Sequence, residues 1–467
     1  MTSDEEFYPS LKPFYVRQTL FNFSNGIISP YVSVYAVQLG ASSEEMGWLR
    51  SLMSLMRNVM QIPWGSISDK IGRYIPAIFI GGILSSLLWV PLLFVTTPFQ
   101  YIIIIAFQSF TVSISTPAWA ALIGRMIPIS RRGAVTARLS IAALFGSIGA
   151  TILSGYIMTL MGGNLSNMYM IPIILAAFVG IMSSLLIVKV HEEKNGSSRP
   201  SSSWIGWEVI RSNANFQSLC KVSFLHSFFM SVCWPLLSIT TVQVVKANMM
   251  EIAYISVISS IVGILIRRFV GHITDYTGRR VLLIIGRAGI FIFPILYALA
   301  TNVYYLLLAN LINAVFGAIS EIVLFAYQLD IIPPDKRGSS IALYNTVNGV
   351  ATFFGSLFGG YFPAVLTLMG CSGLLPIQLT YIISAVGRLS GGLLFIKLRE
   401  SGTYPSTVKR EVVRILREDV DRTKEGIEQI DKMGEMADSE FQRDFERSMG
   451  IARKKEEKIK RRQDENS

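Results

Sequence analysis

Apolar runs of about 20 residues recur through the first 399 positions of this chain. They constrain it more than any other feature. Coiled as a helix, a run of that length matches the hydrocarbon thickness of a bilayer. Backbone N–H and C=O groups meet no water there, so each run must close its own hydrogen bonds as a helix. Twelve such helices can be delimited. Six span 14–39, 46–67, 74–97, 100–126, 133–160 and 168–190, and six span 215–244, 249–273, 280–301, 303–331, 338–368 and 374–398. Gly40, Pro98, the Gly162-Gly163 pair and Gly370 punctuate the joints. Only 16% of residues are charged, against about 25% in a soluble domain. The expected fold class is an all-α membrane protein.

Basic residues fix an expected orientation. The joints after spans two, four, six, eight and ten hold fifteen, among them Lys70, Arg73, Arg132, Arg267, Arg279 and Arg337, while the joints on the other side hold Lys246 alone. Positive charge stays in the cytoplasm. Both termini are then expected there, in a multi-pass protein of the cell membrane. The expected division is a six-helix bundle over 1–190, a Ser-rich cytoplasmic linker over 191–213, a second bundle over 214–399, and a charged cytoplasmic helical tail over 400–467. From Glu400 onward 16 basic residues face 17 acidic ones, so the positive excess lies in the front. Val412, Leu416 and Val420 make the tail amphipathic, suited to resting on anionic lipid or on its own bundle.

Cys220, Cys233 and Cys371 have no partners at metal-ligand spacing, so neither a disulfide framework nor a metal site is expected. The opening MTSDEEFYPS is acidic and no small-residue cleavage site follows, so no cleaved signal peptide is read. No cofactor and no nucleic-acid partner are expected.

The second bundle echoes the first. WGSISDKIGRY (64–74) returns as VGHITDYTGRR (270–280), so Gly65, Asp69, Gly72 and Arg73 match Gly271, Asp275, Gly278 and Arg279 at an offset of 206. MIPISRRG (126–133) returns as IIPPDKRG (331–338), which matches Arg132 with Arg337 at 205. Parallel six-helix repeats are an architecture of secondary transporters, with a site between them near the midplane. Two G-x-x-x-D-x-x-G-R loops, each between the second and third helix of a half, with R-G pairs opening spans five and eleven, resemble the major facilitator superfamily. The resemblance covers about residues 10–400.

Physically, Gly72 and Gly278 suit turns that need positive φ after a helix, and Gly65 and Gly271 suit close helix approach. The resemblance implies that Asp69 faces the start of span eleven near Gly338–Ser340, and Asp275 the start of span five near Gly133. It also implies an acid near the end of span four or ten that pairs with the loop arginine. Asp330 fills that place in span ten, whereas Arg125 stands at the equivalent of span four. The bland reading of both loops is a pair of tight, positive-inside turns.

Polar residues three or four apart share a helix face. Such stripes are Asn22 and Asn25 in span one; Gln108, Thr111, Ser115 and Trp119 in span four; Ser227, Ser231, Trp234 and Ser238 in span seven; and Asn310, Asn313, Gly317 and Glu321 in span ten. The resemblance puts these four helices around a central cavity; hydrogen bonding between helices is the competing reading. Arg50 and Arg57 share a face of span two, and Arg388 lies within span twelve. Charges at that depth are expensive and mark either substrate or one another. Arg57 is a candidate for an anionic group, Glu321 for a coupling proton or a cationic group, and His226 for titration. The expected function is a secondary transporter moving a small solute by alternating access, functional as a monomer. The substrate leans to an organic anion or an amphipathic compound. A multidrug-type efflux permease is one alternative, although the Arg and Gly-Pro signatures expected in spans four and five are missing. A non-transporting receptor of the same fold is another. No nucleophile–base pair or metal-ligand set supports an enzyme.

Overall fold

The computed structural model describes residues 12–127, 129–190, 192, 204–333 and 336–400, with the side chains at 12, 69, 129–134, 137, 189, 204–207 and 271–277 left aside. The charged tail and most of the linker lie outside these residues. The helices are α1 (Lys12–Ile28), α2 (Val32–Gln38), α3 (Ser43–Val59), α4 (Gln61–Ile71), α5 (Ile75–Leu87), α6 (Pro98–Met126), α7 (Ile129–Leu160), α8 (Leu165–Leu186) and α9 (Trp204–Ser212). They continue as α10 (Ala214–Val232), α11 (Trp234–Ile239), α12 (Met249–Thr277), α13 (Arg279–Gly289), α14 (Ile292–Ala298), α15 (Val303–Ile331), α16 (Arg337–Leu368) and α17 (Leu375–Leu393). Among the described residues, ten helices are long and apolar enough to cross a membrane. The expected spans 14–39 and 46–67 are not among the ten; they are the broken pairs α1–α2 and α3–α4, in which α1 and α3 have 17 residues each.

The breaks follow from proline chemistry. Pro30 has no N–H for the Gly26 carbonyl, and the Thr151 hydroxyl of α7 donates to that carbonyl instead, at 3.0 Å. Pro235 likewise deprives the Ser231 carbonyl, which accepts from Ser356 Oγ of α16 at 3.4 Å. A neighbouring hydroxyl replaces the lost bond, which is how a membrane helix tolerates proline. Gly26, Pro30 and Thr151 correspond to Ser231, Pro235 and Ser356 at a constant offset of 205. The duplication therefore extends to the repair of each kink.

Arg388 serves that second break and one more. Its guanidinium donates to Met230 O (2.6 Å), just before the Cys233 break, and to Ile290 O (3.4 Å) between α13 and α14. Its ring-face partner is Phe293, at 5.4 Å. This deep cation is thus committed to holding backbone.

Within residues 12–190, α1 packs on α7 and α8, and α6 packs on α3 and α5. Within 204–400, α10 packs on α16 and α17, and α15 packs on α12 and α13. The two sets meet chiefly along α3–α16 and α7–α12. The first of these seams is backbone against backbone: a Cβ built on Gly360 would fall 2.7 Å from Gly47 Cα. Ser51 Oγ donates to Phe353 O at 2.7 Å, Ser54 Oγ pairs with Thr352 Oγ1, and Trp48 Nε1 donates to Tyr361 OH at 2.9 Å. In the second, Tyr31 OH lies between Thr151 O and Met249 O, at 3.4 and 3.3 Å. These contacts run from the helix ends away from the basic joints to about mid-helix, where Ser54 meets Thr352.

Candidate functional site

Three adjoining polar cavities run through the body of the molecule. The first, of about 510 Å³, is lined by α1, α3 and α6 and holds Asn22, Asn25, Arg50, Arg57, Asn58 and Gln61. The second, about 460 Å³, shares Asn22, Asn25 and Ser29 with it and reaches Ser256, Ser259 and Asn310. The third, about 590 Å³, shares Ser259, Ser260 and Asn310 with the second and holds Asn313, Gly317, Glu321, Arg267 and Arg287. Shared walls make one polar tract from α3 to α15, crossing between the two helix sets. Asn22 and Asn25 each donate Nδ2 to the carbonyl one turn back, Gln18 O and Phe21 O, both at 2.8 Å, which leaves the amide oxygens for the cavity.

Glu321 does not stand alone. Arg267 Nη2 approaches its Oε2 at 2.6 Å, both side chains are more than half exposed, and both line the third cavity. The sequence reading had counted Arg267 with the basic joint after span eight. In the structure it lies within α12 and lines the cavity wall.

Two stripes do not line the cavities. Thr111 donates to Gln108 O and Ser115 to Ile78 O of α5, where Gly81 makes room for the Ser115 hydroxyl. Gln108 is 2% exposed. This face of α6 binds helix to helix, and Val112, Ser113 and Thr116 face the cavity instead. Similarly, Ser227 donates to Asn348 of α16 at 2.6 Å, and Ser231 sits against Gly355 of the same helix. Trp234 packs on the apolar core, and Met230 is the α10 side chain on the cavity wall. Trp119 stacks under the buried Arg17 guanidinium at 4.1 Å. His226 is fully buried; its Nε2–H donates to Arg287 O at 3.1 Å and its Nδ1 accepts from Arg287 Nη1 at 3.3 Å, a neutral imidazole with both nitrogens satisfied. The titrating role expected for it has no free nitrogen to use.

The loops keep their turn geometry. Gly72 adopts φ +68° and Gly278 φ +81°. Gly65 is not tightly packed: an added Cβ would meet Pro117 at 3.6 Å, an ordinary contact. The side chains of Asp69, Asp275 and Arg132, and the environment of Gly271, lie outside the described residues. Arg73 is exposed. Arg337 donates to Leu329 O at 2.8 Å.

At the start of α13, Arg279 Nε meets Asp330 Oδ2 at 2.8 Å, the pair the resemblance implied. The Glu400 carboxylate also accepts from the N–H groups of Arg279 and Arg280, at 2.9 and 3.2 Å. At the start of α5 an equivalent carboxylate, Glu192, accepts from the N–H groups of Tyr74 and Ile75, at 2.8 and 2.9 Å. Arg125 pairs with Glu192 at 3.5 Å. A carboxylate there answers the partial positive charge of the helix N-terminus. Sequence reasoning passed over Glu192 and Glu400, yet a signal existed: each closes a K-x-x-E segment, Lys189 to Glu192 and Lys397 to Glu400.

Comparison with known proteins agrees with this architecture. A nucleoside transporter, NupG, in a mutant form, superposes with a TM-score of 0.66 at 17% identity, covering 83% of this chain and 99% of that one. A bacterial homologue of the human lysosomal transporter Spinster, in an inward-facing and occupied conformation, gives 0.63 at 14% identity, over 83% and 95%. A D-xylose–proton symporter gives 0.61 at 15% identity, over 84% and 97%. In sequence, an uncharacterized MFS-type transporter of Methanocaldococcus jannaschii is 26% identical over 357 residues, 73% of this chain and 88% of that protein. The Major Facilitator Superfamily model matches residues 17–300 and 219–432. The chain is an integral, multi-pass membrane protein and belongs to the Major Facilitator Superfamily.

Proposed function

We propose that this protein is a secondary transporter of the cell membrane, carrying a small organic solute by alternating access between six-helix halves over 1–190 and 214–399. Twelve spans with cytoplasmic termini, a cytoplasmic linker over 191–213 and a cytoplasmic tail over 400–467 complete the reading. One observation carries it. The polar tract takes its walls from both helix sets, while the contacts between those sets run from the ends away from the basic joints, at Gly47–Gly360 and Gly155–Ala253, to about mid-helix, at Ser54–Thr352 and Asn58–Gly349. With the basic joints in the cytoplasm, this is a cavity sealed from outside and open inward. Loss of the seam and closure of the cytoplasmic loops would give the opposite state. Asp69 and Asp275 are the loop carboxylates that would latch that second state onto the facing helix ends. A single chain supplies the whole cavity, which supports a monomeric unit in the lipid bilayer.

The substrate reading is an organic anion. Four arginines, Arg50, Arg57, Arg267 and Arg287, line the tract against one acid, Glu321. Asn22, Asn25, Asn310 and Asn313 offer hydrogen bonds to its body. Glu321, released from Arg267, is the group that would take a coupling proton.

Flux of labelled candidate solutes into proteoliposomes under imposed gradients tests this. Glu321→Gln should abolish any proton dependence while leaving exchange at equal pH; proton-driven flux in that variant would remove Glu321 from the role. Asp69→Asn should slow transport several-fold with substrate affinity nearly unchanged. An unaltered rate would count against the latch. Specific binding with no flux under any gradient, and none in exchange for solute preloaded inside, would overturn transport itself.

A further inference from the structure

The deep cations of this protein fall into two groups. Arg267 has Glu321, Arg287 has the His226 ring, and Arg388 has two backbone carbonyls. Arg17 lies over the faces of Trp119 and Phe21. Arg50 and Arg57 differ. Neither forms an ion pair among the described residues, and no carboxylate lines the cavity they share. Arg50 Nε is buried with no hydrogen-bond partner, as are the Nε atoms of Arg17, Arg287 and Arg388, but the guanidinium groups of those three have the partners just named. The two are seven residues apart on one face of α3, about 10 Å along the axis, within mutual reach of their long side chains.

Around them stand amides. Asn58 donates to Ser54 O at 2.9 Å, Gln61 flanks Arg57, and Asn25 faces them from α1. The position on α3 matters as much as the composition. Ser54, between the two arginines, bonds Thr352 of α16, and a Cβ on Gly349 of α16 would meet Asn58 at 2.7 Å. The cation pair therefore borders the seam between the two helix sets.

We infer that Arg50 and Arg57 form an oxyanion subsite, for the carboxylate or phosphate end of a hydroxyl-bearing organic anion, and that this subsite makes the protein an obligatory exchanger. The inference rests on the transporter reading above. Arginine forks match the oxygens of carboxylate and phosphate, and a bound oxyanion answers both charges. Alternating access requires every crossing to pass through an occluded cavity. With an anion in place, occlusion buries a neutralised cluster. Without one, it strips water from two like charges that no described residue neutralises, and the low dielectric magnifies the cost. The loaded carrier crosses; the empty one rarely does. One anion leaves only as another enters, with no bond made or broken.

The test uses the full-length purified chain. Thermal shift is measured with gluconate, glucose 6-phosphate and inorganic phosphate, against glucose and glucosamine as neutral and cationic controls. At least one of the anions should raise the melting temperature, with glucose and glucosamine inert. Arg57→Gln should weaken that effect at least ten-fold in ligand concentration while keeping the unliganded melting temperature, and Arg57→Lys should restore part of it. No response to any anion, an equal response to glucose, or an anion response unchanged in Arg57→Gln would overturn the subsite. Uptake of the stabilising anion is then compared in vesicles preloaded with it and in empty ones. At least ten-fold faster uptake into preloaded vesicles is expected, and Arg57→Gln should narrow that ratio. Equal rates in the two kinds of vesicle would overturn exchange while leaving the subsite intact. Binding without uptake into either kind would instead overturn the transporter reading.

Discussion

The corners at the starts of α5 and α13 solve one problem with opposite charges. Both place a carboxylate on the first free N–H groups of a helix, Glu192 in one and Glu400 in the other. Across the corner, the first uses a cation from α6, Arg125, and the second an anion from α15, Asp330, which pairs with Arg279. Residue against residue, the first corner has Arg125 where its acid is expected. In space it has one, delivered from the end of the sixth span rather than the fourth. The duplicated halves have kept a function, a neutralised helix start beside the loop, while moving the charge that performs it.

The comparison also separates a buried corner from an open one. The Glu192 side chain is 3% exposed, whereas the Arg279 amide that Glu400 holds lies in an exposed bond. Glu192→Ala should therefore show the largest effect, a loss of about 2–3 kcal/mol from charge-assisted bonds to two amides and a guanidinium. Melting of the purified protein measures it. Arg125→Gln leaves the amide bonds in place and should cost about 1 kcal/mol by the same measurement. Glu400→Ala should be the mildest, about 0.3–1 kcal/mol, and should fade further in high salt. If Glu400→Ala matched Glu192→Ala, the corners would be equivalent and the contrast drawn here would fail.

Much of this fold was legible because membranes leave few options. Apolar length announced the helices, and the paired Gly72 and Gly278 turns announced the duplication, with the positive φ that both need. The stripe on α15 was legible as well, since Asn310, Asn313, Gly317 and Glu321 all reach the cavity. The stripes on α6 and α10 were not. A hydroxyl that faces water and one that faces a neighbouring helix look alike along the chain. What separates Ser115 and Ser231 from the exposed, cavity-lining Thr116 is a distant glycine, Gly81 or Gly355, opposite them. Pairing at depth was illegible for the same reason: nothing along the chain joins Arg267, near the end of span 249–273, to Glu321, 54 residues further on. Kink repair went unseen too, because Thr151 lies 125 residues from the carbonyl it serves.

The α3–α16 seam has a consequence for turnover. Where Gly47 meets Gly360, backbone rests on backbone, with the Trp48–Tyr361 pair beside that point. Separating such surfaces frees few rotamers, and rejoining them freezes few, so little side-chain entropy enters either step. The contact is also short-ranged, lost within an ångström or so of separation. A joint of this kind behaves as a catch: it is fully engaged or fully released, and is quick to pass from one to the other.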